Sequence, residues 1–274
     1  FRVGGLLRAS PAVVDGMVYF GADDNRFYAV DTKTGEQRWV FEVGPGGEQS
    51  SPAVVGGTVY FGAFDQNVYA LDAKTGKERW RFATGGGILS SSAVNNGTVF
   101  IGSIDGAVYA LDAASGAKLW SMQTGGPVFS SPAVANGVVY FGSYDGHLYS
   151  LTASDGQERW RFRAGREVFS SPTVTGGTVY VGAHTGFLYA LDAANGDPVW
   201  KTSLNGAVFG SPAVTDNRVY AGSSDGNFYA LDRQTGTPRA VVPIGDRVWT
   251  SPSVTGNGVY FGAHTGFIYA LAAK

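Results

Sequence analysis

A segment that ends in tryptophan recurs along this chain of 274 residues at a nearly constant spacing. YALDAKTGKERW ends at Trp80, and related segments end at Trp39, Trp120, Trp160 and Trp200, so the first spacing is 41 residues and the later ones are 40. A second column keeps the same period: Pro11, Pro52, Ser92, Pro132, Pro172, Pro212 and Pro252. A period of ~40 residues with several short strands per copy is typical of a β-propeller, one blade per repeat. The seven copies predict an all-β, seven-bladed propeller, with residues 1–274 as a single domain.

The fourth copy illustrates how each repeat is expected to fold. Four short strand-like runs, here named strands A to D, are VFSSPAV, VVYFGS, HLYSLT and ERWRF, and they are separated by ANG, YDG and ASDGQ. Asparagine and glycine in such turns supply the positive φ that tight hairpins need. The order predicts a four-stranded antiparallel meander. A glycine recurs at the end of strand B, for example Gly142, and predicts a close approach of another part of the chain.

Composition excludes some classes of partner. The formal net charge is −2, from 20 basic and 22 acidic residues, which argues against a nucleic-acid binder held by phosphate contacts. No apolar run reaches membrane-spanning length, so we expect no membrane insertion by this domain. The chain has no cysteine, which excludes disulfides and thiolate metal sites. We expect a monomer.

A longer motif surrounds each tryptophan. Ala29, Asp31, Thr34, Gly35 and Trp39 have the same spacing as Ala70, Asp72, Thr75, Gly76 and Trp80. With the 40-residue period, this motif resembles the PQQ-like β-propeller repeat, which is named for pyrroloquinoline quinone (PQQ). The resemblance implies that the tryptophans lock neighbouring blades together; these structural docking residues are Trp39, Trp80, Trp120, Trp160 and Trp200. The sixth copy departs from the motif, because Ala240 stands where the tryptophan is expected.

The two ends of the chain suggest how the ring closes. The seventh copy stops at Lys274 before its outer strand, and Phe1 aligns two positions after a docking tryptophan. We therefore expect residues 1–3 to supply the fourth strand of the last blade. The tryptophan of that strand would lie just upstream of Phe1.

A ligand site must break the symmetry of the repeats. In a meander, the D–A and B–C connections share one rim, and the copies differ there. Three residues before the proline column stand Arg8, Gln49, Leu89, Phe129, Phe169, Phe209 and Trp249. Four consecutive aromatic residues favour packing between blades, and the alternative is an apolar lip for a flat ligand or a partner's side chain.

The B–C turns carry the second difference. All three histidines fall in or beside them, and GAHTGF occurs twice, around His184 and His264. If both pointed inward they could share a ligand, although a duplicated turn is the simpler interpretation, and a metal site would need further donors. Arg247 and Trp249 are two residues apart, so both side chains should point to one side. The candidate ligand-binding residues are Trp249, Arg247, His264, His184, Arg166, Phe129, Phe169 and Phe209, with no catalytic or metal-binding residue; the expected partner is a small flat anionic ligand or a protein segment.

The resemblance leaves three functions to weigh. Quinoprotein dehydrogenases of this family carry long insertions, calcium ligands and a catalytic Asp, for which gapless repeats leave no room; we expect no enzyme here, with PQQ retained only as a candidate ligand. Plain propellers of this type are similar to the extracytoplasmic sensor portions of bacterial transmembrane Ser/Thr kinases. The favoured function is therefore a non-catalytic extracytoplasmic binding domain, at the periplasm or cell surface, within a larger bacterial protein. The alternative is a protein-interaction scaffold similar to the lipoprotein of the outer-membrane β-barrel assembly machine.

Overall fold

The structure, a computed structural model, describes residues 1–46, 50–256 and 258–272. Strands and turns account for all regular structure in these residues, and none of them lies in a helix that could cross a membrane. The strands form seven antiparallel sheets, one for each repeat. The chain divides into two compact units, Phe1–Pro132 and Ala133–Lys274, and each is described by itself.

The first unit contains three four-stranded sheets whose strands follow chain order. Their strands are β1 (Ala12–Val14), β2 (Met17–Ala22), β3 (Arg26–Asp31), β4 (Gln37–Glu42), β5 (Ala53–Val55), β6 (Thr58–Gly62), β7 (Asn67–Asp72), β8 (Glu78–Ala83), β9 (Ala93–Asn95), β10 (Thr98–Gly102), β11 (Ala107–Asp112) and β12 (Lys118–Gln123).

The second unit contains three four-stranded sheets and a last sheet of three strands. Their strands are β13 (Ala133–Ala135), β14 (Val138–Gly142), β15 (His147–Thr152), β16 (Glu158–Arg163), β17 (Thr173–Thr175), β18 (Thr178–Gly182), β19 (Phe187–Asp192), β20 (Pro198–Ser203), β21 (Ala213–Val214), β22 (Arg218–Gly222), β23 (Asn227–Asp232), β24 (Pro238–Pro243), β25 (Ser253–Thr255), β26 (Gly258–Gly262) and β27 (Ile268–Ala272).

Local sequence explains the meander of the fourth repeat. Asn136 and Gly137 have φ values of 51° and 74°, as the two-residue turn between β13 and β14 requires. Gly142 ends β14, where a Cβ would overlap the side chain of Val168. The glycine column therefore marks a close approach, as predicted from the sequence.

The docking tryptophans lie on the outermost strands. Within the first unit, the Nε1 atoms of Trp39 and Trp80 donate hydrogen bonds to carbonyl oxygens of the next sheet, those of Ala73 and Ala113, both at 3.0 Å. Within the second unit, Trp160 donates to Ala193 O at 3.1 Å and Trp200 to Arg233 O at 2.9 Å. Each of these four indoles is buried, so each joins two consecutive sheets of its unit.

The seventh sheet corrects one expectation. Among the described residues it has only β25, β26 and β27, and residues 1–3 form no strand. The ring of Phe1 lies 5.5 Å from that of Tyr28 and 6.3 Å from that of Phe20, both in the first sheet. Phe41 makes the same contact with Tyr69, so Phe1 packs as a strand D phenylalanine does although it forms no strand. Three residues offer few ladder hydrogen bonds to offset the entropy lost on ordering them.

Candidate functional site

The segment before each strand A crosses two B–C turns and places its variable side chain between them. Val168 N donates to Ser143 O in the turn of the fourth repeat, and His184 N in the turn of the fifth repeat donates to Glu167 O, both at 3.0 Å. Phe169 is therefore held between Tyr144 and His184. The same pattern recurs later in the second unit, where His264 N donates to Arg247 O at 3.0 Å.

This arrangement brings six rings into one continuous series. The ring of Phe169 lies 6.4 Å from that of Tyr144 and 6.5 Å from that of His184. The centroid distances then shorten to 4.3 Å for His184 and Phe209, 4.6 Å for Phe209 and Trp249, and 4.4 Å for Trp249 and His264. We call these six residues the aromatic surface: Tyr144, Phe169, His184, Phe209, Trp249 and His264.

The aromatic surface is partly open to solvent. His264 and Tyr144 are exposed, whereas Phe169, His184, Phe209 and Trp249 are half-buried. The indole Nε1 of Trp249 donates to Ser224 Oγ at 2.9 Å, which fixes the ring orientation. The inner members pack against one another, so the surface is both a small core and an accessible apolar patch.

Arginines flank this patch, and one of them is stacked on it. The guanidinium of Arg247 lies 5.3 Å from the centre of the Trp249 ring, on one side as their spacing predicted. Among the described residues no carboxylate pairs with Arg247, although Asp246 Oδ1 accepts a hydrogen bond from its backbone N at 2.7 Å. Arg166 is also exposed, but Glu167 lies within 3.5 Å of it. Arg247 is therefore the cation best placed to meet an anionic group.

Burial favours the neutral form of the His184 imidazole. Its Nδ1 lies 3.4 Å from Glu167 Oε2, and its Nε2 is buried without a hydrogen-bond partner in the described part of the chain. Burial lowers the pKa of the imidazole, and the nearby Arg166 lowers it further, against the opposing effect of Glu167. The pKa of Glu167 is itself lowered, mainly by a hydrogen bond from its own backbone.

The two histidines suggested as co-ligands do not meet. The rings of Phe209 and Trp249 lie between His184 and His264. Within residues 1–46, 50–256 and 258–272, no three His, Cys, Asp or Glu side chains are grouped as metal ligands. His147 begins β15 and contacts Asp145 at 3.2 Å, outside the aromatic surface.

Phe129 belongs to the first unit, where the preceding Val128 N donates to Ser103 O at 3.0 Å; its ring is half-buried. Gln49, which shares its repeat position, lies outside the described residues.

Sequence reasoning missed Tyr144. The signal was present, because Tyr144 occupies the same position in its B–C turn as His184 and His264 do in theirs.

The two histidine turns also lack an aspartate that other turns use. Asp145 accepts a hydrogen bond from Tyr149 Oη at 2.6 Å, and Asp65 makes the same contact with Tyr69. In the fifth repeat Thr185 replaces the aspartate, and Tyr189 Oη donates to Ala164 O instead, at 3.2 Å. His184 and His264 thus lie in the B–C turns that have threonine in place of the structural aspartate.

Comparison with known proteins defines the family. Residues 1–84 and 64–274, which together span the chain, match the family described as outer membrane protein assembly factor BamB. The chain belongs to this family. No curated protein sequence matches it.

Solved structures with the same fold have low sequence identity. BamB from Moraxella catarrhalis is 20% identical, with a TM-score of 0.83 over 98% of this chain and 86% of that one. A computationally designed protein, Ika8, is 19% identical, with a TM-score of 0.68 over 98% of this chain and 96% of its own. Likeness at this identity concerns the fold alone, and it confirms the predicted propeller class.

The ring pairs Phe209–Trp249 and Trp249–His264 leave no room for PQQ between them. A planar ligand sandwiched by two rings needs them roughly 7 Å apart, twice the ordinary contact distance between carbon atoms. Phe209 and Trp249 stand at 4.6 Å and Trp249 and His264 at 4.4 Å, so these pairs leave no such gap. Arg247 and Arg166 flank the surface, and Arg166 is paired with Glu167.

Proposed function

We propose that this chain is a protein-interaction scaffold whose aromatic surface binds an extended segment of a partner protein. The observation that carries the proposal is the series of six contacting rings with Arg247 stacked on Trp249. Tryptophan, tyrosine and arginine are the residues that contribute most to binding energy at protein interfaces. An exposed apolar patch of this kind is typical of an interaction site.

The chemistry of the surface suggests the chemistry of the segment. Half-buried Phe209 and Trp249 favour an apolar or aromatic anchor, which would lose water on contact with them. Arg247 has no carboxylate partner among the described residues, so an acidic side chain beside the anchor would complement it. The partner segment is therefore acidic and apolar, with an aromatic or aliphatic anchor next to Asp or Glu.

The description of the family supports a scaffold. It names an assembly factor for outer membrane proteins, and we extend an extracytoplasmic location to this chain on that basis. We propose that this chain carries out binding without catalysis. The sensor function that the sequence favoured has no separate observation behind it and stays a prediction.

A library of random peptides displayed on phage tests the proposal. We expect selection on the immobilised chain to enrich sequences with an aromatic or large aliphatic residue beside Asp or Glu. An enriched peptide should bind Trp249→Ala at least about 30-fold more weakly, the loss expected for an interface residue that contributes 2 kcal/mol. Arg247→Gln should weaken binding mainly at low salt.

Leu89→Ala is the matched control, because Leu89 holds the position of Trp249 in the third repeat and is also half-buried. It should leave peptide affinity unchanged. Peptides that bind Trp249→Ala as tightly as the parent chain would place the interaction elsewhere, and failure to enrich any peptide would remove the proposed function.

A further inference from the structure

In every repeat that has a docking tryptophan, its indole takes the same position relative to the aromatic ring of strand B. The indole stands against the aromatic ring of strand B at nearly constant distance: Tyr19 and Trp39 at 5.9 Å, Tyr60 and Trp80 at 5.8 Å, Phe100 and Trp120 at 5.8 Å, Tyr140 and Trp160 at 5.7 Å, and Tyr180 and Trp200 at 5.9 Å. The angles between the planes range only from 43° to 50°. Five copies thus define an indole-shaped position next to the strand B ring.

The sixth repeat has the strand B ring but no indole. Tyr220 is buried like its counterparts, whereas the tryptophan position is Ala240, which is exposed. A cavity of about 220 Å³ stands there. Its lining includes Tyr220, Phe228, Ala240, Val242, Val259 and Leu271, all of them apolar or aromatic.

The chemistry of this cavity selects its ligand. An enclosed apolar cavity of about 150 Å³ takes up a benzene-sized molecule. The cavity beside Ala240 is larger and is open at Ala240, and its aromatic wall suits a fused planar ring. Among the described residues no charged side chain lines it. Entry would remove the ligand and the exposed face of Ala240 from water together.

We propose that the cavity beside Ala240 is a binding site for an indole ring. The site goes beyond the proposed scaffold function, since none of its lining residues belongs to the aromatic surface. The ring can come from a free indole-type compound or from a tryptophan side chain of another protein. In either case it lies against Tyr220 as Trp200 lies against Tyr180.

Titration with indole tests the site on the whole chain. Indole should raise the melting temperature progressively with its concentration, by about 5 °C at an excess of 100 times the dissociation constant. In methyl NMR spectra, the shifted signals should be those of Val242, Val259 and Leu271. N-acetyl-tryptophanamide, added separately, distinguishes the two sources: binding of both probes means that the site accepts a peptide-borne ring, and binding of indole alone means a small-molecule site.

Two filled variants provide the control. Ala240→Trp supplies the ring covalently, and Ala240→Leu occupies the space with a smaller change in case the first variant folds poorly. Both should lose the indole-induced shifts of the Val242, Val259 and Leu271 methyl signals, while Leu89→Ala should keep them. Equal shifts of these signals in the parent and the filled variants, or no shift of them up to the solubility of indole, would each overturn the proposal.

Discussion

Replacing Trp200 by alanine tests whether a buried indole holds consecutive sheets together. The side chain is 8% exposed, its ring lies 5.9 Å from that of Tyr180, and its Nε1 donates to Arg233 O at 2.9 Å. Gly236 of the next sheet lies flat against the ring, because a Cβ there would stand 2.6 Å from an indole carbon. Truncation therefore removes packing on both sides and one hydrogen bond.

The expected loss can be worked from these contacts. A tryptophan buries roughly 150–250 Å² of surface, which at about 25 cal/mol per Å² corresponds to about 4–6 kcal/mol. A compact unfolded chain already hides part of that area, so this value is an upper bound. The lost hydrogen bond adds about 1 kcal/mol. We expect about 4 kcal/mol, within the usual range for tryptophan in a core, and a melting temperature lower by roughly 8–16 °C.

Urea unfolding followed by circular dichroism, together with thermal melting, measures this loss. Trp200→Phe keeps an aromatic ring but removes the Nε1 donor, and it should cost about half as much. Trp249→Ala removes a half-buried indole of the aromatic surface and should cost under about 2 kcal/mol. If Trp249→Ala destabilised the chain more than Trp200→Ala, the claim that Trp200 holds consecutive sheets together would be refuted.

Three further changes have defined outcomes. Gly76 and Gly35 share a turn position and have φ values of 70° and 71°, but a Cβ at Gly76 would overlap Trp39, whereas one at Gly35 would meet no atom within 4 Å. Each substitution by alanine should cost about 1–2 kcal/mol of unfolding free energy because of the left-handed backbone. Gly76→Ala should cost clearly more than Gly35→Ala in urea unfolding. The pKa of His184 is lowered on folding, so the unfolded chain binds the proton first and stability falls as the pH drops below about 6.5. In His184→Gln the melting temperature should therefore depend less on pH between pH 7 and 5 than in the parent chain. The same pH dependence in both chains would contradict this. Hydrogen bonds from Arg79 and Thr75 lower the pKa of Asp72 to about 2, so its stabilisation is present above about pH 4 and lost as the pH falls towards 2; Asp72→Asn should make acid unfolding shallower in that interval.

Two repeats that contribute to the candidate site have B–C turns without the aspartate found in the other repeats. Thr185 and Thr265 replace the turn aspartate in the two repeats that contain His184 and His264. Elsewhere that aspartate accepts a hydrogen bond from a strand C tyrosine, as Asp145 does from Tyr149 and as Asp105 does from Tyr109. Burial, and then the hydrogen bond to Asp105, raise the pKa of Tyr109 to about 12. Losing the aspartate gives up a structural contact, which is the pattern expected where binding competes with stability.

The repeat period, the strand order and the turns were determined by local sequence. Asn136 and Gly137 require a hairpin, and each strand is completed within about 40 residues by its own neighbours, so a single copy contains most of the information for its sheet. The pairing of Arg247 with Trp249 was also predictable, because residues two apart on an extended segment face the same side.

Only the tertiary structure decided what lies between repeats. Tyr144 joins the aromatic surface because the segment before Phe169 hydrogen-bonds to two turns at once, and no local pattern in the sequence specifies that contact. Residues 1–3 form no strand, although Phe1 packs on Tyr28 as Phe41 packs on Tyr69. The sequence shows that the sixth repeat has Ala240 at the tryptophan position, but the volume and apolar lining of the cavity depend on how two neighbouring sheets approach each other.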